Sequence, residues 1–215
     1  MNGALRREPE TFVQLGKDRI EVDGQPVTPS RKIYLMLNKP RGIVTTTSDE
    51  KGRDTVYKFL GADLPWVAPV GRLDKASEGL LLMTNDSEWA ARITAPETHL
   101  DKTYDAQIAK IADAVLLETL KKGIRMREGD TLRVKEVSIL RQGERNSWLK
   151  IILDEGKNRH IRRMLEALEI EVLRLVRVAI GPLALGELPK SAIRSLTPEE
   201  KFSLDRAVLR SSKKP

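Results

Sequence analysis

The chain has 215 residues, 40% of them hydrophobic and only 4% aromatic, with 38 Lys and Arg against 31 Asp and Glu and a net charge of +7. That length suits one large domain or two small ones, the apolar fraction excludes a disordered chain, and the basic balance favours an anionic partner, most commonly nucleic acid. The absence of cysteine excludes disulfides, thiol catalysis and Cys-based zinc sites, and with only His99 and His160 a His-rich metal site is excluded too. No apolar run is long enough to span a membrane. The N-terminus, with Arg6, Arg7, Glu8 and Glu10, has no apolar leader segment, so a cytoplasmic protein is expected.

Residues 1–15 are polar and expected to fray. Arg19 to Val27 alternates and turns at Asp23-Gly24, the pattern of a small hairpin. Pro29, Ser30, Arg31 and Lys32 form a polar joint. They set a partly disordered extension, residues 1–32, apart from a main domain over 33–210, with 211–215 a basic tail. Ile33 to Leu37 is an almost pure apolar run and predicts a central strand, broken by Asn38-Lys-Pro-Arg-Gly42. Ile43 to Thr47 is rich in β-branched residues and predicts a second strand. Asp54 to Leu60 predicts a short helix with Asp54 as its cap.

Val67 to Val70 and Leu80 to Met83 predict two strands, with Gly71 and Gly79 as breaks between them. Ser87 to Thr94 reads as a helix ended before Pro96, Lys102 to Lys110 as a strand, and Asp113 to Lys122 as an amphipathic helix closed by Gly123. Thr131 to Leu140 and Trp148 to Leu153 read as strands joined across Gln142-Gly143. Asn158 to Leu168 predicts a helix with Ile161, Met164, Leu165 and Leu168 on one face, and Val172 to Ile180 a long strand. Thr197-Pro-Glu-Glu200 is a capping-box pattern with Pro at the first helical position, opening a helix that runs to about Leu209. Strands outnumber helices, which predicts an α+β fold with a mixed, largely antiparallel central sheet and flanking helices.

Chemistry concentrates in a few segments. Pro69-Val-Gly-Arg-Leu-Asp74 puts a carboxylate beside an arginine on a loop between two strands, rigidly placed yet open to a ligand. Standing alone, Gly71-Arg-Leu-Asp74 reads equally well as a turn acid or a helix cap. Asp154 to Met164 places Lys157, Arg159, Arg162 and Arg163 around the start of a helix, where cations oppose the macrodipole and call for phosphates or a carboxylate such as Asp74, unless they form a plain solvated basic face. Tyr104, on a strand beside Lys102, can stack on a base or serve the sheet surface. Lys39 and Arg41 lie on a basic turn that suits a phosphate or is a plain turn. His160 is a lone histidine among arginines, structural or in contact with RNA.

Together these segments resemble the pseudouridine synthases, specifically the RsuA-like branch that modifies ribosomal RNA. The matching pieces are Leu37-Asn-Lys-Pro-Arg-Gly42, Gly71-Arg-Leu-Asp74 with Ser77-Glu-Gly-Leu-Leu81, Lys102-Thr-Tyr104, Glu155 to Met164, and Arg177 to Pro189, in the family's order. The resemblance implies two subdomains with the cleft between them. It implies an essential aspartate at Asp74, a tyrosine against the target base at Tyr104, and a basic partner of the aspartate at Arg162. Arg72 would fill the gap left by a flipped nucleotide. Lys39, Arg41, Lys102, Lys157, Arg159, His160 and Arg163 would complete the RNA contacts. The implied reaction turns a uridine of ribosomal RNA, of the large subunit by the chain's shortness, into its C5-glycoside with no metal and no cofactor, on a monomer. Many members of the branch carry an N-terminal S4 RNA-binding domain, of which Gly16 to Val27 resembles at most the tail. His160 stands where glutamine or glutamate is often found. A non-catalytic RNA-binding or ribosome-assembly protein on the same fold is the rival reading.

Overall fold

The computed structural model describes residues 1–8, 10–14, 17–27, 31–46, 52–61, 63–127 and 129–211. Two compact units make up the chain, Met1–Lys32 and Ile33–Pro215. In the first, strands β1 (Glu21–Val22) and β2 (Gln25–Pro26) pair antiparallel around Asp23 and Gly24, both at positive φ, as a tight two-residue hairpin turn demands.

The second unit is built on one mixed sheet. Its strands are β3 (Tyr34–Lys39), β4 (Ala68–Val70), β5 (Glu78–Thr84), β6 (Lys102–Ile108), β9 (Glu136–Gln142), β10 (Ser147–Leu153), β11 (Val172–Ile180), β12 (Leu183–Ala184) and β13 (Ile193–Ser195), while β7 (Ile124–Arg125) and β8 (Thr131–Leu132) form a separate ribbon. The order across the sheet is β13-β3-β5-β11-β6-β10-β9, with β4 on β5 and β12 on β11. Every pairing is antiparallel except β5 with β11, where Val176 and Arg177 lie beside Glu78 and Gly79.

All seven residues of β5 are buried, because this strand is covered on both faces. Leu80 and Leu82 enter one core with Met36, Trp89, Ile93, Leu204 and Val208, while Leu81 and Met83 enter another with Leu35, Leu37, Val56 and Leu73. A third core lies over β6, β10 and β11, where helices α2 (Ala114–Lys122) and α3 (His160–Ala167) bury Leu116, Leu120, Ile161, Met164 and Leu165. Helix α1 (Ser87–Thr94) starts on Asp86, whose side chain accepts from the Trp89 amide. The Trp89 indole N–H donates to Asp205 at 2.8 Å and fixes helix α4 (Pro198–Ser211). Thr197 and Glu200 form the expected reciprocal cap, with the Glu200 amide on Thr197 Oγ1 and the Thr197 amide on the Glu200 carboxylate. No helix among the described residues is long and apolar enough to cross a membrane.

Three expectations fail locally. Thr131 to Leu140 is not one strand: β8 and β9 divide it between the ribbon and the main sheet, and between them the Val134 amide donates to the Leu120 carbonyl of α2. Ile43 to Thr46 forms no strand: Val44 makes a single bridge to Thr55, and Thr47 lies outside the described residues. Asp54 caps nothing. A single 3₁₀ turn, Val56–Phe59, follows Thr55 without a side-chain cap, and Asp54 pairs with Lys58 instead. Pro29, Ser30 and the tail 212–215 also lie outside the described residues.

Candidate active site

The parallel seam between β5 and β11 sits beneath a cleft of about 700 Å³, in the range of a small-ligand site. Five segments line it: the β4–β5 loop with Arg72 and Asp74, the end of α1 and the turn after it from Ile93 to His99, Lys102 and Tyr104 of β6, the β10–α3 loop from Asp154 to Arg159 with His160 at the helix start, and Leu175, Arg177 and Ile180 of β11. Tyr104 is half-buried and packs against two cores at once, which fixes its ring. Arg72, Lys157 and Arg159 are exposed on the rim. Arg159 takes φ +48, a left-handed conformation that is uncommon outside glycine and costs of order 1–2 kcal/mol.

The Asp74 loop is held from outside itself. Gly71 at φ +72 and Gly79 at φ +102 turn the chain at its two ends. Between them, successive carbonyls meet donors from distant segments. Arg177 Nη1 reaches Arg72 at 3.4 Å, Thr45 Oγ1 reaches Leu73 at 2.9 Å, and the Gly42 amide reaches Lys75 at 2.7 Å. Arg162 Nη2 reaches Ala76 at 3.0 Å, Lys39 Nζ reaches Ser77 at 2.8 Å, and Arg177 Nε reaches Leu80 at 2.8 Å. Within the loop, the Ser77 amide closes a turn on the Asp74 carbonyl. The carbonyls from Arg72 to Ser77 are thus all bonded, while the Asp74 side chain makes no hydrogen bond or ion pair among the described residues and faces the cleft.

Three cations surround this loop without closing on the carboxylate. Burial lowers the Arg162 pKa and the Asp74 charge raises it, so the two groups feel one another although Arg162 is bonded to Ala76 and, at 3.4 Å, to the Val172 carbonyl. Lys39 is fully buried. Burial depresses its pKa to about 8, against the attraction of Asp74 and Glu78. Glu78, also buried, is pushed up by desolvation, but Arg174 and Lys190 overcome this and hold it low. Lys102 is lowered chiefly by burial and then by the Arg177 charge.

The expected site residues divide accordingly. Asp74, Arg72, Tyr104, Lys102, Lys157, Arg159 and His160 all line one cleft. Arg162 approaches from behind the loop, Arg41 is exposed with Nη1 at 3.4 Å from the Leu173 carbonyl, and Arg163 is half-buried on α3; none of these three is on the cleft wall. Lys39 needs correction: it is not a phosphate contact, because its ammonium is 0% exposed and bonded to the carbonyls of Pro40 and Ser77. His160 is likewise buried within the wall, and burial keeps its imidazole below the ordinary value and neutral at pH 7, so it offers RNA no charge.

Arg177 is the residue that sequence reasoning misses as part of the site. It is 6% exposed, lines the cleft beside Tyr104, and leaves Nη2 buried without a partner among the described residues, at a cost of order 1–3 kcal/mol. The available signal is alternation: of the two arginines in the apolar run from Val172 to Ile180, Arg177 falls two residues from the inward-facing Leu175, whereas Arg174 falls on the exposed side.

Comparison with known proteins agrees with this geometry. Residues 33–167 match the RNA pseudouridylate synthase family. The chain is 39% identical over 186 residues to the ribosomal large subunit pseudouridine synthase B of Bacillus subtilis (strain 168), covering 86% of this chain and 76% of that protein. It is also 39% identical over 210 residues to an uncharacterized RNA pseudouridine synthase of Aquifex aeolicus (strain VF5), covering 97% and 84%. A crystal structure of pseudouridylate synthase superposes with a TM-score of 0.73 at 29% identity, over 94% of this chain and 86% of that one. The family match spans the loop, strand and helix that carry Asp74, Tyr104 and Arg162, and at this identity and coverage the chain belongs to the RNA pseudouridylate synthase family.

Proposed function

We propose that this chain isomerises a uridine of large-subunit ribosomal RNA to pseudouridine, as a member of the RsuA-like branch, with Asp74 as the essential catalytic residue. The observation that carries this reading is the Asp74 carboxylate, without a partner among the described residues in an open cleft, on a loop whose carbonyls are held by three buried or half-buried cations. The ribosomal large subunit synthase at 39% identity supports the choice of RNA.

The reaction breaks the N1–C1′ bond, turns the uracil, forms C5–C1′ and releases the C5 hydrogen as a proton, while N1 takes up a proton. Atoms and electrons balance without any added reactant. A uridine in folded RNA must leave its stack to reach Asp74, which costs a few kcal/mol. Phosphate contacts by Lys157 and Arg159 on the rim offset that, Arg72 props the vacated stack, and Tyr104 packs against the everted base. Arg162 and Lys39 act by holding the Ala76 and Ser77 carbonyls, which fixes the loop that presents the Asp74 carboxylate to the base. Lys102, Arg41 and Arg163 are further candidates for the RNA face. Residues 33–210 form the catalytic domain and 1–32 an extension, in keeping with a family match that begins at residue 33. The proposed enzyme acts as a monomer in the cytoplasm, where ribosomal RNA is found.

A pure RNA binder on the same fold would gain nothing from a carboxylate facing phosphates. Incubation with ribosomal RNA tritiated at uridine C5 separates the two. Wild type is expected to release tritium and Asp74→Asn to release none; wild type that binds the RNA but releases no tritium would leave only the binder.

A further inference from the structure

We propose that Arg177 is a positioning residue for the reaction: a single buried guanidinium that spans the Asp74 loop and sets the distance between its two ends. The inference rests on the assignment of Asp74 given above, but its structural part can be tested without turnover.

Three observations converge on it. Arg177 bonds to the chain on both sides of Asp74, with Nη1 on the Arg72 carbonyl at 3.4 Å and Nε on the Leu80 carbonyl at 2.8 Å. Thr45, Arg162 and Lys39 each bond one flank only, through Leu73, Ala76 and Ser77 in turn. Its backbone is locked to the same loop, since Arg177 lies beside Gly79 across the parallel seam, and a Cβ on Gly79 would overlap the Arg177 carbonyl oxygen and stand 2.8 Å from its amide nitrogen. Pairing of β11 with β6 also shifts register between Arg177 and Ala179. Such irregularities re-aim a side chain next to a functional site.

The guanidinium is an expensive choice for this position. It is 6% exposed and one of its nitrogens has no partner among the described residues, so an apolar residue would serve packing better. What an apolar residue cannot do is hold two carbonyls at a fixed span with a rigid planar fork. Lysine supplies one point of attachment only, so it can tether one end of the loop and not both.

Arg177→Met and Arg177→Lys test this against a large-subunit rRNA transcript. Three quantities are read for each: kcat by tritium release, RNA Kd, and amide hydrogen exchange. Arg177→Met is expected to lower kcat about 100-fold, the effect of a displacement near 1 Å at a reacting group, with RNA Kd within about threefold of wild type. Exchange should quicken at least about tenfold for residues 72–78 and stay unchanged in β10. Arg177→Lys should fall between the two proteins in kcat and in loop exchange. Loop exchange at the wild-type rate in Arg177→Met overturns the proposal whether or not the RNA is a substrate. So does an unchanged kcat, a Kd that weakens in step with kcat (which would make Arg177 an RNA ligand), or a wild-type kcat in Arg177→Lys. Failure of both variants to fold would assign Arg177 to stability and also overturn it. If wild type releases no tritium, the assigned reaction fails, and the exchange data still judge the clamp.

Discussion

Replacing Gly79 by alanine puts a Cβ into the seam on which the cleft is built. Two terms set the size of the effect. Gly79 sits at φ +102, outside the ordinary range of an L-residue, at a cost of order 1–3 kcal/mol. The new methyl also meets the Arg177 backbone, 2.8 Å from its nitrogen and 3.0 Å from its carbonyl carbon, and backbone in a buried parallel pair cannot swing aside. Overpacking of that kind adds roughly 1–3 kcal/mol. The sum, about 4 kcal/mol, corresponds to a fall in Tm of about 10 °C for a chain of this size. Gly71→Ala is the matched control. It carries a similar φ, +72, but its Cβ would meet only the Thr94 Cγ2 at an ordinary 3.5 Å, so strain alone remains, about 1–2 kcal/mol and roughly 5 °C. Differential scanning calorimetry of both variants reads the difference. If Gly79→Ala melts with Gly71→Ala, or with wild type, the close approach of β5 and β11 is not what holds the loop in place.

Lys39 gives a pH signature. Its folded pKa is about 8 against 10.5 for the free side chain, so the ammonium on the Ser77 carbonyl is present below pH 8 and lost above it. Activity is expected to fall on the alkaline side with a midpoint near pH 8, and Lys39→Met to give a lower, flat profile from pH 7 to 9; a flat wild-type profile would refute this. Stability runs the other way. Between pH 8 and 10.5 the unfolded chain holds a proton that folded Lys39 has released, so this group adds stability as pH rises, about 3 kcal/mol in all, and that contribution is lost as pH falls through 8. Arg159→Ala should weaken RNA binding and reduce the slope of log K against log salt by about 0.7 to 1; an unchanged slope would take Arg159 off the phosphate path. Tyr104→Phe retains the ring, so RNA affinity should stay within about twofold, and a wild-type kcat would confine Tyr104 to packing.

The sequence showed the scaffold where burial is on both faces or caps are explicit. Leu80 to Met83 and Ile33 to Leu37 read as central strands because nothing but a two-sided core tolerates such runs. Helices α1, α2 and α4 carried their own start signals in Asp86, Asp113 and the Thr197–Glu200 pair. Ile43 to Thr46 misled because β-branched propensity is weak against tertiary contacts: Gly42 and Thr45 are bonded to Lys75 and Leu73 of the Asp74 loop instead of to a neighbouring strand. The cleft residues Asp74, Arg72 and Tyr104 were legible from motif order. Lys39 was not, since a lysine in a Pro-Arg-Gly turn looks solvated, and its burial depends on Ser77, 38 residues away. Arg177 was hidden for the same reason. Its partners, Arg72 and Leu80, are about a hundred residues distant, and only the parallel seam brings them together.

Mapping pseudouridine across ribosomal RNA bears most directly on Asp74 as the residue that converts a uridine. Cells lacking this gene are compared with the same cells carrying wild type or Asp74→Asn. One site is expected to lose pseudouridine in the deletion, to regain it with wild type, and to stay uridine with Asp74→Asn even though that protein binds the RNA. Restoration of the modified base by Asp74→Asn, or a map identical in all strains, would contradict the assignment.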